Sequence, residues 1–133
     1  MAGYRKRIGW YGIDLDGTLA RYERGDIDKY GVTYIGPPIP KMLERVKKML
    51  AEGKTVKIFT ARVGIPQGLD RAELKERMEE QVPIRKAILK WCKEHIGQPL
   101  EVTSLKDFGM IECWDDRAVQ VISNTGERAD GKE

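Results

Sequence analysis

Six residues of this chain have the side chains and spacing to do chemistry: Asp14, Asp16, Thr60, Lys106, Asp115 and Asp116. Asp14 and Asp16 stand in "IDLDGTLAR", where an apolar run meets Gly17 and Thr18. Side chains two apart on an extended segment point the same way, so both carboxylates face one site. Like charges about 4 Å apart repel by roughly 4 kcal/mol at an effective dielectric near 20, so the pair calls for a cation. A second acidic pair, Asp115 and Asp116, follows the apolar "MIECW", Thr60 closes "KTVKIFT", and Lys106 lies in "SLKDFG". Gathered on one rim, these groups suit a hard divalent ion. Mg2+ takes oxygen ligands, keeps several waters and accepts a phosphate oxygen in its shell. The chemistry such a set supports is phosphoryl transfer: the ion and Lys106 neutralise a phosphate monoester, Asp14 attacks phosphorus to give an aspartyl-phosphate, and Asp16 moves protons.

The elements that must position these residues can be read from the hydrophobic pattern. "RIGWYGID" is apolar on both sides, as a central parallel strand is. Residues 17–40 carry glycines, prolines and scattered aromatics and read as an irregular flap with a hairpin around residues 30–34. Pro40 opens a helix with Met42, Leu43, Val46, Met49 and Leu50 on one face and Gly53 at its cap. Residues 55–59 form the next strand. Asp70 with Glu73 makes a capping box for a helix from Arg71, which Pro83 breaks or kinks before Ile84, Ala87, Ile88, Trp91 and Cys92 continue the apolar face. "LEVT", "MIECW" and "AVQVIS" are the remaining apolar stretches; "SLKDFG" is short for a parallel crossover, so "LEVT" need not be a regular strand. Strands alternating with helices imply an α/β fold, a Rossmann-like, doubly wound and mostly parallel sheet with helices on both faces, whose ligands bind beyond the carboxyl ends of the strands.

A chain of 133 residues has room for one core, so one domain is expected over residues 1–125, followed by a polar tail at 126–133. The net charge of +3 is too small to select nucleic acid as partner. Cys92 and Cys113 form no metal-binding spacing and sit in apolar stretches, the setting of buried free thiols in a reducing, cytoplasmic compartment. No run is long enough to span a membrane, and the first residues lack the apolar core of a signal peptide.

"DLDGT", "FTAR", Lys106 and "WDDRAV", in that order, resemble the four motifs of the haloacid dehalogenase superfamily of phosphatases, over residues 8 to 122 or so. The resemblance implies Mg2+ as cofactor, Asp14 as nucleophile and metal ligand, and Asp16 as acid/base and ligand through its backbone carbonyl. It implies Thr60 as a phosphate hydrogen-bonding residue, Lys106 as the neutralising lysine, Asp115 as a metal ligand and Asp116 as a second acidic support. Many members carry that lysine on an upstream helix, which makes Lys86, Lys90 and Lys93 rivals of Lys106. More narrowly, "DLDGTLA", "ILKWCKEHIGQPL" and "DDRAVQV" are similar to the phosphatase domain of phage-type polynucleotide kinases. A receiver-type signalling domain gathers the same residue types, but there the acidic pair opens the chain and the acceptor aspartate follows; here the order is reversed.

Neither residues 17–40 nor residues 63–70 are long enough for a cap domain, so an open site is expected. It suits a phosphorylated small molecule or a nucleic-acid end, or a small ester covered by a second subunit in a homo-oligomer. Arg62 and Arg117 are candidates for substrate contact, against surface ion pairing. His95 suits a helix C-terminus, Trp10, Trp91 and Trp114 suit the core, and "YRKR" at residues 4–7 suits a solvated flank.

Overall fold

In the computed structural model, which describes residues 9–133, the strand expected around "RIGWYGID" is β1, Trp10–Ile13, and it lies inside a four-stranded sheet. The elements after it are α1 (Asp26–Tyr30), α2 (Pro40–Ala51), β2 (Val56–Phe59), a 3-10 turn (Ala61–Val63), α3 (Arg71–His95), β3 (Glu101–Thr103) and β4 (Met110–Trp114). The strand order is β3-β2-β1-β4, and every pairing is parallel. The basic stretch at residues 4–7 lies outside the described residues.

Register is what matters for the site. Ile13 pairs with Ile58 on one side and Trp114 on the other, and the Asp14 N–H donates to the Trp114 carbonyl at 2.8 Å. Strands β1, β2 and β4 therefore end at nearly one level, and the residues just past them, Asp14, Thr60 and Asp115, share a rim. "LEVT" is a genuine edge strand, since Val102 pairs with Ile58.

Helices α2 and α3 both pack on the sheet face carrying Ile13, Ile58 and Val102, where Val46, Ile88, Trp91 and Cys92 complete one core. Helix α2 begins at Pro40, which needs no N–H there, and the Gly53 N–H, at φ 81°, closes its end on the Leu50 carbonyl. The capping box forms as read: the Glu73 N–H donates to Asp70 Oδ1 at 2.8 Å, and the Asp70 N–H to Glu73 Oε1 at 3.3 Å. Pro83 does not end α3, which runs through it as one helix of 25 residues.

The opposite face differs from the expectation of helices on both sides. The described residues put no helix there; residues 104–109 cross it instead. From Thr103 to Met110 the chain must move three strand spacings sideways, about 14 Å, and four residues down, about 13 Å. Seven extended residue steps reach about 24 Å, enough for that diagonal of about 19 Å without a helix. The strap is pinned where it crosses: Trp10 Nε1 donates to Asp107 Oδ1 at 2.8 Å, and the Trp10 N–H to the Gly109 carbonyl at 2.9 Å. Trp10 is thus buried under a loop, and Cys113, paired with Gly12 on this face, is exposed rather than buried, whereas Cys92 is in the core.

The flap makes no hairpin at residues 30–34; α1 stops at Gly31, and the Tyr30 and Tyr34 rings stack at 4.5 Å. Its base is tied down. The Arg21 N–H donates to the Pro37 carbonyl, the Ile39 N–H to the Leu19 carbonyl, and buried Trp91 Nε1 to the Gly36 carbonyl at 2.9 Å. A Cβ on Gly36 would overlap the Arg21 carbonyl oxygen. Gly36→Ala is therefore expected to destabilise the fold by about 2–3 kcal/mol, read as a lower urea midpoint at unchanged m; an unchanged midpoint would show that the two flap legs separate freely.

Past β4, "AVQVIS" joins no sheet. Val121 and Arg128 form an antiparallel bridge, so the polar tail folds back on it, and Val119, Val121 and Ile122 are half exposed. No helix among the described residues is long and apolar enough to cross a membrane.

Candidate functional site

A cleft of about 520 Å³ opens at the carboxyl ends of β1, β2 and β4. Asp14, Asp115 and Asp116 meet there, each offering a carboxylate oxygen within 4.8 Å of the others. The first of them is a hundred residues away in sequence and one strand away in space. A sharp turn after Leu15, whose carbonyl receives the N–H groups of Thr18, Leu19 and Ala20, brings Thr18 back under the acids. The Thr18 hydroxyl accepts from the Asp116 N–H at 3.1 Å; its single proton can go to Asp14 Oδ2 at 3.2 Å or Asp116 Oδ1 at 3.4 Å. Gly17, at φ 86°, leaves no room for a Cβ beside the Asp116 carboxylate.

Electrostatically the cluster is short of positive charge. Burial, then the charge of Asp115, then a hydrogen bond with Asp116 push the Asp14 carboxyl up to about 7, against a smaller lowering by Thr18. The consequence for stability has a definite sign. Because the folded-state value lies above the ordinary 3.8, the folded state holds this proton more tightly than the unfolded one. Its contribution is complete below about pH 4 and is lost as pH rises through about 7. In EDTA, the pH dependence of the melting temperature over this window should contain a falling component that Asp14→Asn lacks. Parallel curves for the two proteins would remove the charge frustration inferred here.

Asp16 takes no part in the acidic cluster. Its carboxylate is held by Arg62, Nε to Oδ2 at 2.6 Å and Nη2 to Oδ1 at 2.7 Å, with the Arg62 side chain only 6% exposed. The same guanidinium donates through Nη1 to the carbonyls of Val32 and Tyr34. Arg62 therefore lines the cleft but spends itself on Asp16 and the flap, a different task from the substrate contact expected of it. Thr60 is buried at the rim and caps the 3-10 turn, its Oγ1 accepting from the Arg62 N–H at 3.2 Å. This places the hydroxyl in the cleft and aims the arginine at Asp16. Arg117 also lines the cleft; its N–H donates to Asp115 Oδ1 at 2.8 Å, and its side chain has no hydrogen bond or ion pair among the described residues.

Lys106 does not line the cleft. Ser104 is the last residue of the strap at the rim. The chain then descends across the sheet, and exposed Lys106 lies near enough to Cys113 to act on its thiol. The rivals Lys86, Lys90 and Lys93 are exposed on α3 and do not line the cleft either. The sequence names Thr18 only as part of "DLDGT", with no role of its own, and does not single out Tyr22 and Ile27, which the flap adds to the cleft wall. Trp10 and Trp91 are core residues, Trp114 packs on the core beneath Arg45, and His95 ends α3 with its ring 4.7 Å from that of Trp91.

The chain matches no family model, no curated protein and no solved structure.

Proposed function

We propose that this chain is a Mg2+-dependent phosphatase, a phosphoric monoester hydrolase that works through an aspartyl-phosphate on Asp14. The observation that carries the reading is the meeting of Asp14, Asp115 and Asp116, with Thr60 beside them, in one cleft at the strand ends. Three close carboxylates, one of them driven toward its neutral form, are a donor set that a hard divalent cation relieves. Asp14, Asp115 and Asp116 would hold the ion through their side chains. Asp16 would join only through its backbone carbonyl, because its carboxylate is committed to Arg62. The ion supplies charge neutralisation for the phosphoryl oxygens.

In the first half-reaction an Asp14 oxygen attacks phosphorus, the bond from phosphorus to the leaving oxygen breaks, and Asp16 gives that oxygen its proton. In the second, Asp16 takes a proton from water as the water oxygen attacks the same phosphorus, which releases inorganic phosphate and restores the Asp14 carboxylate. Proton donation requires the Arg62 fork to release an Asp16 oxygen to the leaving group. Thr60 donates its hydroxyl proton to a phosphoryl oxygen, and Thr18 holds Asp14 in line.

The resemblance to haloacid dehalogenase phosphatases of the polynucleotide kinase type supports a nucleotide or polynucleotide phosphate as substrate. The flap of residues 17–40 lends Gly17, Tyr22 and Ile27 to the wall, few enough to suit a cleft open to a nucleic-acid end. A panel of sugar phosphates, nucleotides and 3′-phosphorylated oligonucleotides, with Mg2+ or with EDTA, tests the reading beside Asp14→Asn. Mg2+-dependent release by the wild type alone, greatest with oligonucleotides, is expected. Equal release by both proteins would refute the nucleophile, and a preference for sugar phosphates the substrate class.

A further inference from the structure

We infer that Arg117 is the cation that meets the transferring phosphoryl group, in the place where a lysine was expected. The inference rests on the phosphatase reading and concerns how that site tolerates its substrate. Among the described residues, the cleft is lined by four carboxylates and only two cationic side chains, Arg62 and Arg117. The charge of Arg62 is matched by Asp16, to which it is bound through two nitrogens, and its remaining bonds go to flap carbonyls. The three clustered acids outweigh a divalent ion by one charge, before a phosphate monoester brings about −1.5 to −2 more. Such a site repels its own substrate unless another cation joins it.

Arg117 is the group left to do so. Its N–H bond to Asp115 Oδ1 folds the chain tightly after β4, so the residue next to the acidic pair turns to the cleft and not along the sheet. Its guanidinium has no hydrogen bond or ion pair among the described residues, so contact with a phosphoryl group breaks no existing bond. A planar fork can also bridge two phosphoryl oxygens, which an ammonium group cannot. Lys106, on the strap beside Cys113, and the lysines of α3 do not line the cleft, whereas Arg117 does.

The test uses Arg117→Ala, Arg117→Lys and Lys106→Ala in the full chain, with two readouts: kcat/KM on the best substrate of the panel, and binding of inorganic phosphate by calorimetry at saturating Mg2+. Arg117→Ala is expected to lower kcat/KM about 100-fold and to weaken phosphate binding at least tenfold. Arg117→Lys should recover part of both, and Lys106→Ala should stay within about twofold of wild type in both. Unchanged phosphate binding in Arg117→Ala, or a loss in Lys106→Ala as large as that expected of Arg117→Ala, overturns the inference. Phosphate binding needs no turnover, so the two readings separate. Binding lost in Arg117→Ala alone, with a wild type that hydrolyses nothing, sinks the phosphatase and keeps the contact.

Discussion

Asp14→Asn is expected to lower phosphate release by about four orders of magnitude or more while leaving the protein folded. The amide has the shape of the carboxylate but neither the charge nor the free electron pair that attacks phosphorus, so no aspartyl-phosphate forms. The same change removes one of three mutually repelling groups at a position where burial already opposes ionisation. Metal-free Asp14→Asn at pH 8 should therefore melt a few degrees above wild type, a gain of about 1 kcal/mol. Opposite movements of activity and stability exclude unfolding as the cause of the loss. Phosphate release by Asp14→Asn at a tenth of the wild-type rate or more would remove Asp14 as nucleophile. A lower melting temperature in EDTA would show instead that its carboxylate supports the fold.

The sequence was most informative where a contact follows from alternation along one strand or from a cap. Apolar runs ending in acids, "YGID" and "ECWD", put Asp14 and Asp115 at strand ends, and parallel pairing did the rest. The capping box of α3 was legible because both partners lie three residues apart. What was not legible depended on which edge or face a segment reaches. "RIGWYGID" looks the same whether Trp10 is covered by a helix or by a strap held through Asp107, since either removes the indole from water. That Lys106 does not line the cleft was hidden for the same reason: a six-residue connection between opposite sheet edges leaves the rim soon after Ser104. Arg62 follows Thr60 by two residues, yet its partner Asp16 is 46 residues away, and no local spacing announces a bond of that kind.

That bond makes Arg62 the second position where a single change should be severe. Arg62→Ala is expected to lower kcat about 1,000-fold with KM much less affected, because it acts on Asp16 and not on the bound phosphate. Without the arginine nothing holds the Asp16 carboxylate in place while its released oxygen faces the leaving group, and a proton-transfer group displaced by an ångström loses most of its effect. Arg62→Lys should rescue little, since one ammonium cannot span Asp16 Oδ1, Asp16 Oδ2 and two flap carbonyls together. If Arg62 works by positioning Asp16, the kcat losses of Arg62→Ala and Asp16→Asn overlap, and the double variant is hardly slower than Asp16→Asn alone. Losses that multiply would mean that Arg62 contacts the substrate directly, and a KM raised more than kcat is lowered would say the same. The flap gives a separate readout: with its ties to the Val32 and Tyr34 carbonyls gone, the segment around α1 should exchange amide hydrogens faster in Arg62→Ala and not in Asp16→Asn. Equal exchange in the two variants would leave Arg62 to Asp16 alone and assign the flap's order to its anchored base at Gly36 and Trp91.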